Sequence, residues 1–274
     1  MKSTAFEVAY NRLNPEQREA VDTIEGPVMV IAGPGTGKTQ ILTLRIANIL
    51  LKTDVQPENI LALTFTDSGA RAMRERLAQY IGAPAYRVHI HTFHEFAGNL
   101  IRTYPDAYTR AVGGRPITDL EKITLIESIL ETPTLKLLRP SGNVQFYVKP
   151  ILNALSLMKR EYITEDRLTE IINDQEKILD ATEKIHEKGA HAGKVRGEYL
   201  EREKSLNKNR ELLFVYRAYE AALAAKGHFD FDDMIFETVR ALEGSEDMLR
   251  SLQEQYQYLL ADEHQDVNGS QNKI

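Results

Sequence analysis

Along the first hundred residues, short apolar runs alternate with stretches in which apolar residues recur every three or four positions. Val28–Ala32, Ile60–Phe65 and Arg87–His91 read as strands, and helical periodicity begins near Gly37, Asp67 and His94. Strands alternating with helices of this length predict a parallel sheet covered by helices. A short helix over 14–23 precedes them, with Asn14 as N-cap and Pro15 in the first turn, where its missing N–H costs nothing. From about Tyr104 to about Lys226 the period stays helical, with no convincing strand, through "TDLEKITLIESIL", "VKPILNALSLMK", "RLTEIINDQEKIL" and "NKNRELLFVYRAYEAAL". Breaks fall at "VGGRP" (Val112–Pro116) and "RPSGN" (Arg139–Asn143). Two further helices, about 231–242 and 245–256, lead into a last strand, Tyr258–Ala261. The expected organisation is an α/β domain made of 1–104 and 227–274, interrupted by an all-helical insertion over 105–226.

Composition narrows this picture only at its edges. No apolar run approaches the length of a membrane span, and the first twenty residues are too polar for a secretory core. There is no cysteine, which excludes disulfides, iron–sulfur clusters and cysteine zinc sites. The cytoplasm is the expected compartment. A formal net charge of -6 argues mildly against a nucleic-acid partner, because neutralising phosphates takes clustered Lys and Arg. Net charge is an average, however, and a basic groove can sit on an acidic protein.

The first predicted strand breaks into "AGPGTGKT", Ala32–Thr39, which matches the form [A/G]-x-x-x-x-G-K-[ST]. Glycines let the backbone turn so that successive N–H groups point at phosphate oxygens. A helix starting near Gly37 adds its partial positive end. In such a loop Lys38 reaches the β- and γ-phosphates, and the Thr39 hydroxyl ligates magnesium. An ordinary Gly-rich turn rarely carries this spacing between a strand and a helix, so nucleotide binding is the expectation, with ATP and Mg2+ as cofactors.

A phosphate loop needs a partner that holds magnesium and activates water. In "YLLADEHQD", Asp262 and Glu263 end an apolar run, at the edge of the sheet where open α/β folds bind ligands. Asp262 suits the magnesium shell, through water, and Glu263 suits a general base. Standing alone, the pair would read as surface acids; with the phosphate loop it reads as the catalytic set of Lys38, Asp262 and Glu263.

Read in order, "LNPEQREAV" (Leu13–Val21), "AGPGTGKT", "TFTDSGARAM" (Thr64–Met73), "HTFHEFAG" (His91–Gly98), "FDFDDM" (Phe229–Met234) and "DEHQDVNGSQ" (Asp262–Gln271) resemble the UvrD/Rep group of superfamily 1 DNA helicases. The resemblance implies a RecA-like P-loop NTPase sheet flanked by helices, with an all-helical inserted subdomain, the whole being C-terminally truncated. It implies that Gln17 reads adenine and that Ala32, Gly33, Pro34, Gly35, Thr36, Gly37, Lys38, Thr39 and Gln40 surround the nucleotide. It implies that Phe65, Thr66, Thr92, Phe93 and His94 face single-stranded DNA or a single-strand/duplex junction. On the residues alone, Phe65 and Phe93 read equally well as core, and His94 reads as a satisfied helix-start residue. Translocation of 3′–5′ polarity comes from the family alone. The resemblance further implies, beyond Ile274, a Gly-Asp-x-x-Gln strand lying between the phosphate-loop strand and the acidic strand. A second motor domain bearing transition-state arginines would follow. Residues 1–274 are therefore expected to bind nucleotide weakly at most and not to unwind DNA alone.

The chain departs from the family pattern in places. Asp67, Ser68 and Gly69 stand where Asn-Lys-Ala is usual, Gln40 where arginine is usual, and His264 where an aromatic is common. The acids of "FDFDDM" read as helix capping by Asp230 or Asp232 rather than as a metal site. His186 and His191 lack the four-residue spacing of a helical zinc pair. The mixed-charge run 183–210 reads as a solvated face, with DNA contact by Lys188, Lys194, Arg196, Lys204, Lys208 and Arg210 as the alternative. Three other functions stay open: the helicase part of a helicase–nuclease, a nucleotide- or DNA-binding module without turnover, and a small-molecule P-loop kinase.

Overall fold

The computed structural model describes residues 4–33, 35–108, 114–139, 144–187, 191 and 193–274. Pro34, parts of the two predicted breaks, and Lys188 lie outside the described residues. The chain divides into two compact units, 1–107 with 238–267, and 108–237 with 268–274. The second unit takes in 227–237 and 268–274, which lie outside the expected insertion of 105–226.

The first unit opens with helix α1 (Thr4–Asn11), which the sequence reading missed, and α2 (Pro15–Asp22). Phe6 of α1 is buried against Tyr80, ring edge to face. Then come α3 (Lys38–Lys52), β1 (Ile60–Thr64), α4 (Asp67–Ile81), β2 (His89–Thr92) and α5 (Phe93–Thr103). The sheet order is β2-β1-β5, all parallel, with β5 formed by Tyr258–Ala261. Central β1 is buried along its whole length, as a parallel strand covered on both faces must be. Its register sets Thr64 opposite Thr92, and Leu63 opposite Ala261, so the ends of all three strands meet at one edge.

The predicted strand Val28–Ala32 does not form. These residues are in no strand, with Met29 80% and Ile31 87% exposed. A strand exists only through the ladder it joins. Both edges of β1 are already taken, by β2 and β5, and no ladder joins 28–32 to β5. Leu259 on β5 is likewise exposed. Apolar residues mark these segments for burial, but the three-stranded sheet does not reach them.

In the helical unit, α6 (Asp119–Leu130), α7 (Val148–Arg160), α8 (Glu165–Asp180) and α9 (Gly197–Ala225) enclose a core that includes Ile126, Leu130, Ile151, Leu155, Val215, Tyr219 and Leu223. Contrary to the strand-free reading, β3 (Arg115–Pro116) pairs in parallel with β4 (His228–Phe229). Two-residue strands are too short to show alternation. A Cβ at Gly114 would meet the Gly227 carbonyl at 2.7 Å, so glycine is what permits this approach.

Helix α10 (Phe231–Gly244) follows, then α11 (Glu246–Gln255). The acids at its start do more than cap it. Asp233 accepts the Asp230 N–H at 2.6 Å, the capping-type bond. Asp230 instead holds Lys122 at 2.6 Å and the Tyr219 hydroxyl at 3.1 Å, and Asp232 accepts from Ser156 at 2.5 Å. Lys159, whose side chain is fully buried, pairs with Asp233 at 2.5 Å and Glu220 at 2.9 Å. On the mixed-charge run, Arg196, Arg202 and Arg210 are paired with Glu183, Glu198 and Glu176, as a solvated face would be. Among the described residues, no helix is long and apolar enough to cross a membrane.

Candidate nucleotide site and strand-end surface

The phosphate loop turns through two left-handed glycines, Gly35 (φ +77°) and Gly37 (φ +86°), the second serving as N-cap of α3. A side chain is disfavoured at both positions. The Thr36 hydroxyl donates to the Gly33 carbonyl at 2.7 Å, closing the loop on itself. Lys38 and Thr39 occupy the first two positions of α3, where N–H groups have no partner within the helix. The Lys38 ammonium lies 3.4 Å from the Ala32 carbonyl and 3.7 Å from Glu263. Gln40, the next residue, is half-buried.

Asp262 is buried at the end of β5, its N–H donating to the Leu63 carbonyl at 2.9 Å. One carboxylate oxygen accepts the Thr39 hydroxyl at 2.9 Å, and the other accepts the Glu263 N–H at 3.1 Å. Glu263 adopts φ +52°, ψ +41°, a left-handed conformation uncommon outside glycine and costing on the order of 1–3 kcal/mol. Its carboxylate also accepts from the Gln265 side-chain amide, which donates to Asp266 at 3.2 Å. Gln265 thereby gains a contact to which no motif or spacing pointed. Thr39 and Asp262 place two hard oxygen donors side by side, which suits magnesium, and Lys38 with the open end of α3 suits an anion.

Gln17 joins the same loop. Its side-chain amide donates to the Thr36 carbonyl at 3.2 Å, while its oxygen accepts the Asn14 N–H at 3.1 Å in a reciprocal capping box.

At the neighbouring strand ends the five remaining candidates divide. Phe65 is half-buried and Thr66 exposed; Thr92 and Phe93 are buried, and His94 is half-buried. The Phe65 and Phe93 rings meet edge to face at 5.8 Å. Thr66 and Thr92 cap α4 and α5, accepting from Gly69 at 3.0 Å and Glu95 at 3.1 Å. A Cβ at Gly69 would sit 3.0 Å from both the Thr64 and Thr66 hydroxyls. Glycine in place of the usual alanine therefore fits this particular turn.

A model of the UvrD/REP helicase N-terminal domain matches residues 13–274. The chain belongs to this family. Among curated UvrD/REP-type relatives, it is 30% identical over 261 residues to the ATP-dependent DNA helicase PcrA of Staphylococcus aureus, covering 95% of this chain and 30% of that protein. It is also 30% identical over 259 residues to the ATP-dependent DNA helicase PcrA of Staphylococcus epidermidis, covering 94% of this chain and 30% of that protein. The chain therefore spans 30% of the length of these relatives.

Proposed function

We propose that residues 1–274 are the ATP-binding part of a DNA translocase or helicase of 3′–5′ polarity. The observation that carries this reading is the Thr39–Asp262 hydrogen bond, which joins the phosphate loop to the acidic strand end at 2.9 Å. In this reading the loop from Ala32 to Gly37 surrounds the phosphates and offers them its backbone N–H groups, Pro34 alone having none to offer. Gln40 borders it, and Gln17 reads the adenine edge with one donor and one acceptor. Thr39 and Asp262 would hold magnesium, which neutralises phosphate charge and polarises the transferred group. Lys38 exchanges its contacts with the Ala32 carbonyl and Glu263 for phosphate oxygens. Glu263, released from the lysine, accepts the proton of the attacking water, and Gln265 holds its carboxylate in place.

On the DNA side, the half-exposed Phe65 stacks on a base while buried Phe93 backs its ring. Thr66 and Thr92 fix the helix starts beside it, and His94 lines the same edge. The partner is single-stranded DNA or a single-strand/duplex junction. Unwinding is assigned to a protein that also carries a second motor domain; these residues alone bind nucleotide without unwinding. A further strand beside Val28–Ala32 would give that segment the ladder and the cover it lacks.

The test is ATP hydrolysis by the intact polypeptide, with and without oligo-dT. Stimulation by DNA, abolished in Lys38→Ala, is the expected result. Hydrolysis indifferent to DNA would reject the motor reading, and full activity in Lys38→Ala would reject the site.

A further inference from the structure

Helix α2, which carries Gln17, is only eight residues long and buries a single side chain, Val21. A helix this short does not hold itself in water, and its last carbonyls lack partners within the helix. Here two of those carbonyls, Ala20 and Val21, and the two just past the helix, Thr23 and Ile24, are taken by α3, the helix that begins with Lys38 and Thr39. The Arg45 guanidinium, 9% exposed, donates to the Ala20 carbonyl at 2.7 Å, the Ile24 carbonyl at 3.3 Å and the Thr23 carbonyl. Buried Asn48 donates to the Val21 carbonyl at 2.9 Å and to the Asp22 carboxylate at 3.3 Å. Lys52 then pairs with Asp22 at 3.0 Å, and the Tyr10 hydroxyl donates to the same carboxylate. Successive turns of one face of α3 thus clamp the end of α2. Arg45 and Asn48 direct these bonds to 20–24 and not to the phosphate loop, so their polar groups serve α2.

We propose that Arg45, seconded by Asn48, is a positioning residue that sets adenine selectivity by locking the Gln17 helix to the phosphate-loop helix as one body. Because α3 starts at the phosphate site and Arg45 sits two turns along it, the distance from base-reading amide to phosphate cradle is fixed by this clamp. Five donor contacts from a fork and an amide do this where a lysine at 45 reaches fewer carbonyls. The inference rests on the reading of Gln17 as the adenine-facing residue.

Calorimetric titration of the intact polypeptide with ATP, GTP and inorganic tripolyphosphate, each with magnesium, separates the possibilities. Arg45→Met is expected to reduce the ATP-over-GTP preference about tenfold, to the level of Gln17→Ala, in keeping with the loss of one oriented base contact. Tripolyphosphate affinity should stay within about twofold, because the phosphate loop is untouched. The double variant Gln17→Ala/Arg45→Met should be no worse than either single change. If Arg45→Met does not fold, Arg45→Lys is read in its place, with a smaller loss of the same preference. An unchanged preference in the Arg45 variants, or equal losses of ATP and tripolyphosphate binding, would overturn the positioning role alone. A wild-type protein without ATP preference, or a Gln17→Ala variant that keeps it, would overturn the adenine reading and the inference with it.

Discussion

The Thr39 hydroxyl donates to the Asp262 carboxylate across 2.9 Å, although the two residues are 223 positions apart in the chain. The bond joins the first turn of α3 to the end of β5, and it depends on β5 lying beside β1 in parallel register. The parallel register puts the ends of both strands at one edge of the sheet, and that is where the two oxygens converge.

If this pair holds magnesium, Thr39→Val should raise the magnesium concentration needed for half-maximal ATP hydrolysis about tenfold, the effect of losing about 1.4 kcal/mol from one oxygen contact. Asp262→Asn should shift it further, since a charged donor is lost. A magnesium titration with unaltered midpoints in both variants would remove these residues from the metal site.

Glu263 stands apart from its neighbour in backbone conformation and in partners. Glu263→Gln keeps the shape and removes the basic oxygen. Single-turnover hydrolysis should fall by about 10²–10⁴, the usual contribution of a general base, while ATP affinity holds. Loss of affinity with turnover per bound ATP intact would assign the residue to binding instead.

Phe65 and Phe93 touch each other but differ in exposure, and so should their variants. Phe65→Ala should weaken oligo-dT binding by about 1–3 kcal/mol in a fluorescence titration, with little change in folding. Phe93→Ala opens a cavity beneath it and should lower unfolding stability by about 3–5 kcal/mol in urea. Equal DNA losses with no loss of stability in Phe93→Ala would place both rings on the binding surface.

The phosphate loop, α2 with its Asn14 cap, β1, α4 and β5 were legible because each is written locally, as glycine spacing, a cap or an apolar run. Val28–Ala32 misled for a physical reason: its apolar residues state a need for burial, whereas strand formation depends on a neighbouring edge. β3 and β4 are invisible to periodicity at two residues each. Lys159 and Arg45 were missed because a cation on an amphipathic helix reads as the wet side. Only the packed partners, Asp233 and Glu220 for the one and three carbonyls for the other, show that these charges face inward. "FDFDDM" carried the one available signal for the first of these, a density of acids beyond what a single helix cap uses.

The Lys159 cluster gives the last prediction. One buried ammonium serves two carboxylates, so Asp233 is held by Lys159 yet penalised by burial and by Glu220. Burial dominates, and the Asp233 pKa is pushed up from 3.8 to about 6. A carboxylate whose pKa is higher folded than unfolded favours the folded state at low pH. Its contribution is complete below about pH 4 and is lost as pH rises through about 6. Asp230 is shifted the other way: burial, the largest single influence, pushes it up, but the Lys122 hydrogen bond, the Lys159 and Lys122 charges and the Tyr219 hydroxyl together bring it down, so the net profile of the wild type mixes both signs. The difference between wild type and Asp233→Asn isolates the first. Measured by urea unfolding, wild type should lose stability relative to Asp233→Asn between pH 4 and pH 7. Lys159→Met, which leaves the acids without their cation, should cost about 3–5 kcal/mol at pH 7 and less at pH 5, where Asp233 takes up a proton. A Lys159→Met penalty independent of pH would mean that Asp233 stays ionised throughout, and that burial does not outweigh the lysine.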